Sequence, residues 1–165
     1  MDRQCLRDVT GSCTIRIDKD GRWYYQGSEM INKLVLEAFC NALEADENGR
    51  YRIVINQEVC YIDVEDTPFV VASLRGDPET GLSILLNTGE LQPLDPDSLC
   101  IGKDNILYCF LKNGMKVRFS RAAYYLFAFM LEEDEQGNII LKLKDKIYPV
   151  LPEHLHRNGK GSTGT

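Results

Sequence analysis

Two clusters in this chain have residue types and spacing suited to chemistry. The first is acidic: Asp63, Glu65 and Asp66, with a second pair at Asp95 and Asp97. Paired carboxylates serve acid–base catalysis or hold Mg²⁺. In Asp63-Val64-Glu65-Asp66-Thr67-Pro68, strand alternation puts Asp63 and Glu65 on one face. Solvated carboxylates, with Asp66 capping a turn, account for the same residues, and Asp95-Pro96-Asp97 reads as a turn. The second cluster is cationic: Arg118, Ser120 and Arg121, with Tyr124 and Tyr125 one turn on. If Ser120 caps a helix, the two arginines flank an N-terminus whose unpaired N–H groups favour an anion, and arginine adds a forked donor. A tyrosine there could stack on a base or ring. A capped helix with a solvent-facing arginine and core tyrosines is the competing reading.

No signature of a known catalytic centre accompanies these clusters. The sequence has no Gly-x-Ser-x-Gly elbow, no His-Glu-x-x-His helix and no Cys-x-x-Cys pair. The only histidines, His154 and His156, fall in the expected C-terminal tail. Gly159-Lys160-Gly161-Ser162 lacks the residue order of a phosphate loop. A non-enzymatic protein with no metal site and no cofactor is therefore expected. The six cysteines, Cys5, Cys13, Cys40, Cys60, Cys100 and Cys109, read as thiols acting as small hydrophobes.

With 165 residues, 19 basic and 25 acidic side chains and a net charge of −6, the chain suits one or two globular domains. Residues 1–75 carry 9 basic and 13 acidic groups, residues 76–106 carry 1 and 6, and residues 107–165 carry 9 and 6. The acidic excess argues against general nucleic-acid binding, which needs cations against phosphates. It leaves room for a local basic site in the last third. No apolar run approaches the roughly 20 residues of a membrane span. The first residues lack an apolar signal region, so a cytoplasmic location and no membrane partner are expected.

The elements that would position these clusters follow from periodicity. Ile15 and Ile17 alternate with polar residues, Asp20-Gly21 marks a hairpin, and Trp23 to Tyr25 return as a strand. Ser28 is a candidate N-cap for a four-turn helix with an apolar face from Met30 to Leu43. Tyr51 to Ile55 and Val59 to Val64 read as a hairpin. The Gly-, Pro- and Asp-rich stretch from Arg75 to Asn105 reads as a link with one or two strands, and Leu82 to Asn87 as an exposed edge. A second hairpin, Ile106 to Leu111 and Met115 to Phe119, leads to a Ser120-capped helix ending near Leu131. That helix is apolar nearly all round, so cover on more than one side is expected. Ile139 to Leu143 and Lys146 to Val150 follow as strands.

Hairpin, helix, hairpin thus occurs twice. Leu43, Glu44, Asp46, Glu47 and Gly49 return as Leu131, Glu132, Asp134, Glu135 and Gly137, 88 residues on. Lys19-Asp20-Gly21 matches Lys112-Asn113-Gly114 at an offset of 93. The expected fold is α+β, with a duplicated hairpin–helix–hairpin module. An N-terminal domain spans 1–75, a C-terminal domain 76–152 and a flexible tail 153–165.

Three stretches resemble one family. Asp20-Gly21-Arg22-Trp23-Tyr24-Tyr25-Gln26-Gly27-Ser28, Val64-Glu65-Asp66-Thr67-Pro68-Phe69-Val70-Val71 and Val117-Arg118-Phe119-Ser120-Arg121-Ala122-Ala123-Tyr124-Tyr125 look like the proteobacterial domain of unknown function 1285. The resemblance runs from about Ile15 to Pro152. It implies a C-terminal half loosely similar to pleckstrin-homology sheets and a ligand site between the halves, with a nucleotide-like ligand and a signalling role. Carried over residue by residue, it marks Trp23, Tyr24, Glu65, Asp66, Pro68, Arg118, Ser120, Arg121 and Tyr125.

Three functions compete on these grounds. The first is a regulatory module sensing a small anionic, nucleotide-like ligand. The second is an adaptor that accepts a protein partner at the Leu82–Asn87 edge. The third is a metal-dependent hydrolase or transferase using Asp63, Glu65 or Asp66, for which the sequence supplies no nucleophile or histidine base.

Overall fold

A computed structural model describes residues 14–156. The readings placed on residues 1–13 and 157–165, the missing signal region and the end of the tail, lie outside the described residues. The chain divides into two compact units, Met1–Pro68 and Phe69–Thr165. The sequence reading set the division after Arg75. It falls earlier because Phe69–Asp77 is one continuous strand belonging to the second unit's main sheet.

The first unit runs β1 (Ile15–Ile17), β2 (Trp23–Tyr25), β3 (Ser28–Glu29), α1 (Lys33–Ala42), β4 (Leu43–Ala45), β5 (Tyr51–Ile55), β6 (Glu58–Tyr61) and β7 (Asp63–Val64). One sheet has the order β3-β2-β1-β7, the other β4-β5-β6. Ser28 does not cap the helix. Gln26 and Gly27, at φ 49° and 84°, reverse the chain within two residues, so Ser28 pairs with Tyr25 as a strand. The cap is Asn32, whose Oδ1 accepts from the Leu34 and Val35 amides at 3.1 and 3.2 Å. α1 buries Phe39 against Trp23, ring centroids 6.1 Å apart. Ile31 and Leu34, assigned to the apolar face, are exposed. Val59 to Val64 is not one strand: β6 pairs with β5, and after Ile62 β7 pairs parallel with β1.

The second unit runs β8 (Phe69–Asp77), β9 (Gly81–Leu86), β10 (Leu91–Pro93), β11 (Cys100–Ile101), β12 (Leu107–Phe110), β13 (Lys116–Phe119), α2 (Arg121–Ala128), β14 (Leu131–Glu133), β15 (Ile139–Leu143), β16 (Lys146–Pro149) and β17 (Leu151–Pro152). Seven strands form one sheet in the order β10-β9-β8-β13-β12-β11-β17, and β14-β15-β16 form another. The stretch read as a link is therefore sheet. β9 is no edge, because β8 and β10 pair with its two sides and Ile84 and Leu86 are buried. α2 lies on β8 and β13 and buries Ala123 and Phe127. Among the described residues the expected cover on further sides is not seen: Tyr125, Leu126 and Phe129 are exposed.

The duplication is complete from β3 onward. β3 to β7 return 88 residues later as β13 to β17, with Asn32 and Ser120 capping corresponding helices. The strand orders β3-β2-β1-β7 and β13-β12-β11-β17 coincide. Tyr25 opposite Ser28 corresponds to Phe110 opposite Lys116. This corrects the offset of 93: the turn after β2, at Gln26-Gly27, and not Asp20-Gly21, is the counterpart of Asn113-Gly114. β8 to β10 have no counterpart among the described elements of the first unit.

One turn chemistry recurs. Asp18, Asp46 and Asp134 each accept two backbone amides on Oδ1, from residues two and four places on, at 2.8–2.9 Å. All three carboxyls are held below the usual 3.8. For Asp46 the main cause is the Arg50 amide, and for Asp134 the Asn138 amide. At Asp18 burial pushes upward, but hydrogen bonds from the Arg22 amide, the Tyr24 hydroxyl and the Asp20 amide, with the Arg22 charge, together outweigh it. A carboxylate depressed in the folded state contributes stability that is present above the unfolded pKa and lost as pH falls through the folded one. The turns should therefore contribute fully at neutral pH and weaken below about pH 4. Asp46→Asn with Asp134→Asn should lower the urea midpoint at pH 7 and flatten its decline between pH 5 and 3. An unchanged pH profile would show that these carboxylates carry none of the acid sensitivity.

The chain's end departs from expectation too. Glu153–Leu155 form a 3-10 turn, and His156 is buried. Its Nε2 lies 2.6 Å from the Asp97 carbonyl oxygen, and its ring stacks on Phe110 at 6.0 Å between centroids. Residues 153–156 are thus docked structure. Cys40, Cys100 and Cys109 lie outside any disulfide, as expected, whereas Cys60 is disulfide-bonded.

Candidate functional site

In the first unit, Tyr24 and Glu65 come together around Arg16. Arg16 stands opposite Tyr24 across β1 and β2, its guanidinium 4.8 Å from the ring centroid. The Tyr24 hydroxyl donates to Asp18 Oδ2 at 3.1 Å, and this bond to Asp18 is the main reason its pKa is raised. Glu65 Oε2 accepts the Lys19 amide at 2.9 Å and sits 3.9 Å from Arg16. These contacts fasten the β1–β2 turn. Trp23 is buried against Phe39 and belongs to the core. Asp66 is half-buried, and its charge adds to the burial that raises the Tyr51 pKa. Pro68 is fully buried.

In the second unit, Ser120 Oγ accepts the Ala123 amide at 3.1 Å, so its oxygen caps the helix as expected. Arg118, half-buried, lies directly opposite Tyr108 across β13 and β12, and Lys116 lies opposite Phe110. Residues paired in this way, and residues two apart on a strand, share a face. Lys116, Arg118, Tyr108 and Phe110 are therefore on one side of the sheet. The Lys116 ammonium sits 4.0 Å from the Tyr108 ring centroid, a cation–π contact, and forms an ion pair with Glu153. Arg121 follows, exposed, as the first residue of α2, and Tyr125 is 64% exposed one turn on.

Lys116, Tyr108 and Glu153 were not singled out in the sequence. Lys116 and Arg118 alternate on one strand, which was a readable signal. Glu153 is 37 residues from Lys116 and carries no local signal of that pairing. Beside Glu153 a groove of about 1020 Å³ opens between the Gly102–Asn105 loop and the Asp134–Asn138 turn. Among the described residues no group of three or more His, Cys, Asp or Glu is arranged to hold a metal ion. No described helix is long and apolar enough to cross a membrane.

Set out this way, the molecule is an α+β protein built on a duplicated hairpin–helix–hairpin module, with a cationic, tyrosine-backed strand face in its second unit. Residues 7–67 match the family model of the domain of unknown function DUF1285, N-terminal domain. A DUF1285 family protein from Silicibacter pomeroyi DSS-3 has a similar fold, with a TM-score of 0.72 at 20% identity over 86% of this chain and 81% of that one. Another, from Shewanella baltica OS155, gives 0.60 at 24% identity over 70% and 91%. Comparison with curated proteins finds no match.

Proposed function

We propose that this protein is a non-enzymatic, cytoplasmic regulatory module that binds a small anionic ligand, of nucleotide or pyrophosphate type, along β13 and the start of α2. One observation carries the reading. At corresponding positions of the two repeats, Ser28 and Met30 in the first are Lys116 and Arg118 in the second, two added cations, while Lys33 is matched by Arg121. The scaffold is shared, so it does not require the added cations; an anion would. Exposed Tyr125 supplies aromatic surface for a ring.

The test is a thermal-shift screen against inorganic pyrophosphate and nucleotides, followed by Arg118→Gln. A ligand bound only by the folded state at about 100 times its Kd stabilises by about 2.7 kcal/mol, a readable shift. Arg118→Gln should weaken binding at least tenfold, about 1.4 kcal/mol, with the ligand-free melting temperature close to the parent's. Unchanged affinity in that variant refutes this site.

The adaptor reading keeps one supporting observation, at a different place. Tyr125 and Leu126 on α2, and Phe129 just after it, are exposed where the first repeat has Glu37, Ala38 and Asn41. A partner lost on Phe129→Asp, with folding intact, would favour it.

A further inference from the structure

We infer that Leu151–His156 is a releasable strap, and that its Glu153 carboxylate occupies on Lys116 the place of an external phosphate or carboxylate. The inference rests on the anion-binding reading above and supplies its regulation.

Comparison of the repeats isolates what is particular to this strap. Glu65 is the counterpart of Glu153, 88 residues earlier. Glu65 is committed to the backbone, accepting the Lys19 amide at 2.9 Å, with Arg16 farther off at 3.9 Å. Glu153 instead meets Lys116, a side-chain cation on the sheet face that the first repeat lacks. The strap thus places a carboxylate on the first of the two cations gained by the second unit. His156 meanwhile covers Phe110, the residue opposite Lys116.

Its fastenings at β17 and Glu153 suit release, while buried His156, 2.6 Å from the Asp97 carbonyl oxygen, anchors the far end. β17 contributes two residues to the sheet edge, paired parallel with β11. The Lys116–Glu153 pair is partly open to solvent, at 25% and 32% side-chain exposure, and Glu153 lines the neighbouring groove. Glu153 also fits closely over Gly102, where a Cβ would stand 2.8 Å from Glu153 Oε2 and 2.7 Å from Tyr108 Cε2. A methyl group at that position should push the glutamate away without altering any charge.

Hydrogen exchange and pyrophosphate titration on the full chain test the inference. In Glu153→Gln the strap amides should exchange at least tenfold faster, while those of β12 and β13 keep the parent's rate. Equal strap protection, or loss of protection across β12 and β13 in step, overturns the strap as a separate element. Inorganic pyrophosphate, titrated at constant ionic strength, should bind Glu153→Gln at least tenfold more tightly than the parent. Adding Lys116→Gln should remove the gain. Gly102→Ala should move affinity in the same direction with net charge unchanged, which separates displacement of the carboxylate from mere loss of a negative charge. A loosened strap with parental affinity in both variants overturns the competition, and the binding site then stands or falls on Arg118→Gln alone.

Discussion

Phe127→Ala should cost about 3–5 kcal/mol of stability, the range for a large aromatic removed from a packed core. Phe127 is fully buried in α2, and its ring meets that of Phe119 on β13 at 5.5 Å between centroids. α2 buries only Ala123 besides, so this side chain carries most of the helix's attachment to the sheet. Truncation leaves a cavity and frees the segment that presents Arg121 and Tyr125. Phe129→Ala is the control: that ring is 89% exposed, and its loss should change stability by about 0.5 kcal/mol or less. Urea unfolding of the two variants side by side decides the matter. Similar losses would mean that the packing of α2 is wrongly described.

Ile84→Lys should prevent the second unit from folding. Ile84 is 1% exposed on β9, opposite Leu74 on β8 and Gln92 on β10. An ammonium at that position has no described partner and leaves water at a cost of several kcal/mol, a large share of a domain's stability. Leu91→Lys, on the outer strand β10 at 54% exposure, should leave the fold intact. Near-ultraviolet circular dichroism and a melting curve distinguish the outcomes. A cooperative, native-like melt for Ile84→Lys would show that β9 is not internal. The contrast also bears on partner searches: binding lost on Ile84→Lys would report an unfolded protein, whereas binding lost on Leu91→Lys would report a contact.

Local signals fared well and pairing partners did not. Asp20-Gly21, the alternation of Ile15 and Ile17, and the Ser120 cap each depend on a few neighbouring residues, and all three stand in the structure. The offset of 88 was legible because a repeat needs no knowledge of contacts. Ser28 failed because a cap and a short strand share composition, and the two residues before it decided. Whether β9 is an edge depends on β10, which is only Leu91 to Pro93 and gave no periodic signal. His156 read as tail because its partners, Asp97 and Phe110, are 59 and 46 residues away. Of the candidate site, the arginines and the cap were visible, while the cation that Glu153 engages became visible only through strand pairing.

The meander β8-β9-β10 has no counterpart among the described residues of the first unit, and its position gives it a consequence. β3 ends its sheet, and it is two residues long with a charged glutamate, a poor template for another chain. β13 is longer, with Val117 and Phe119 buried, and its outer side is taken by β8. Without that cover, the strand bearing Lys116 and Arg118 would offer a row of unpaired amides and carbonyls to any neighbouring copy. The extra strands insulate the second unit against polymerising through β13.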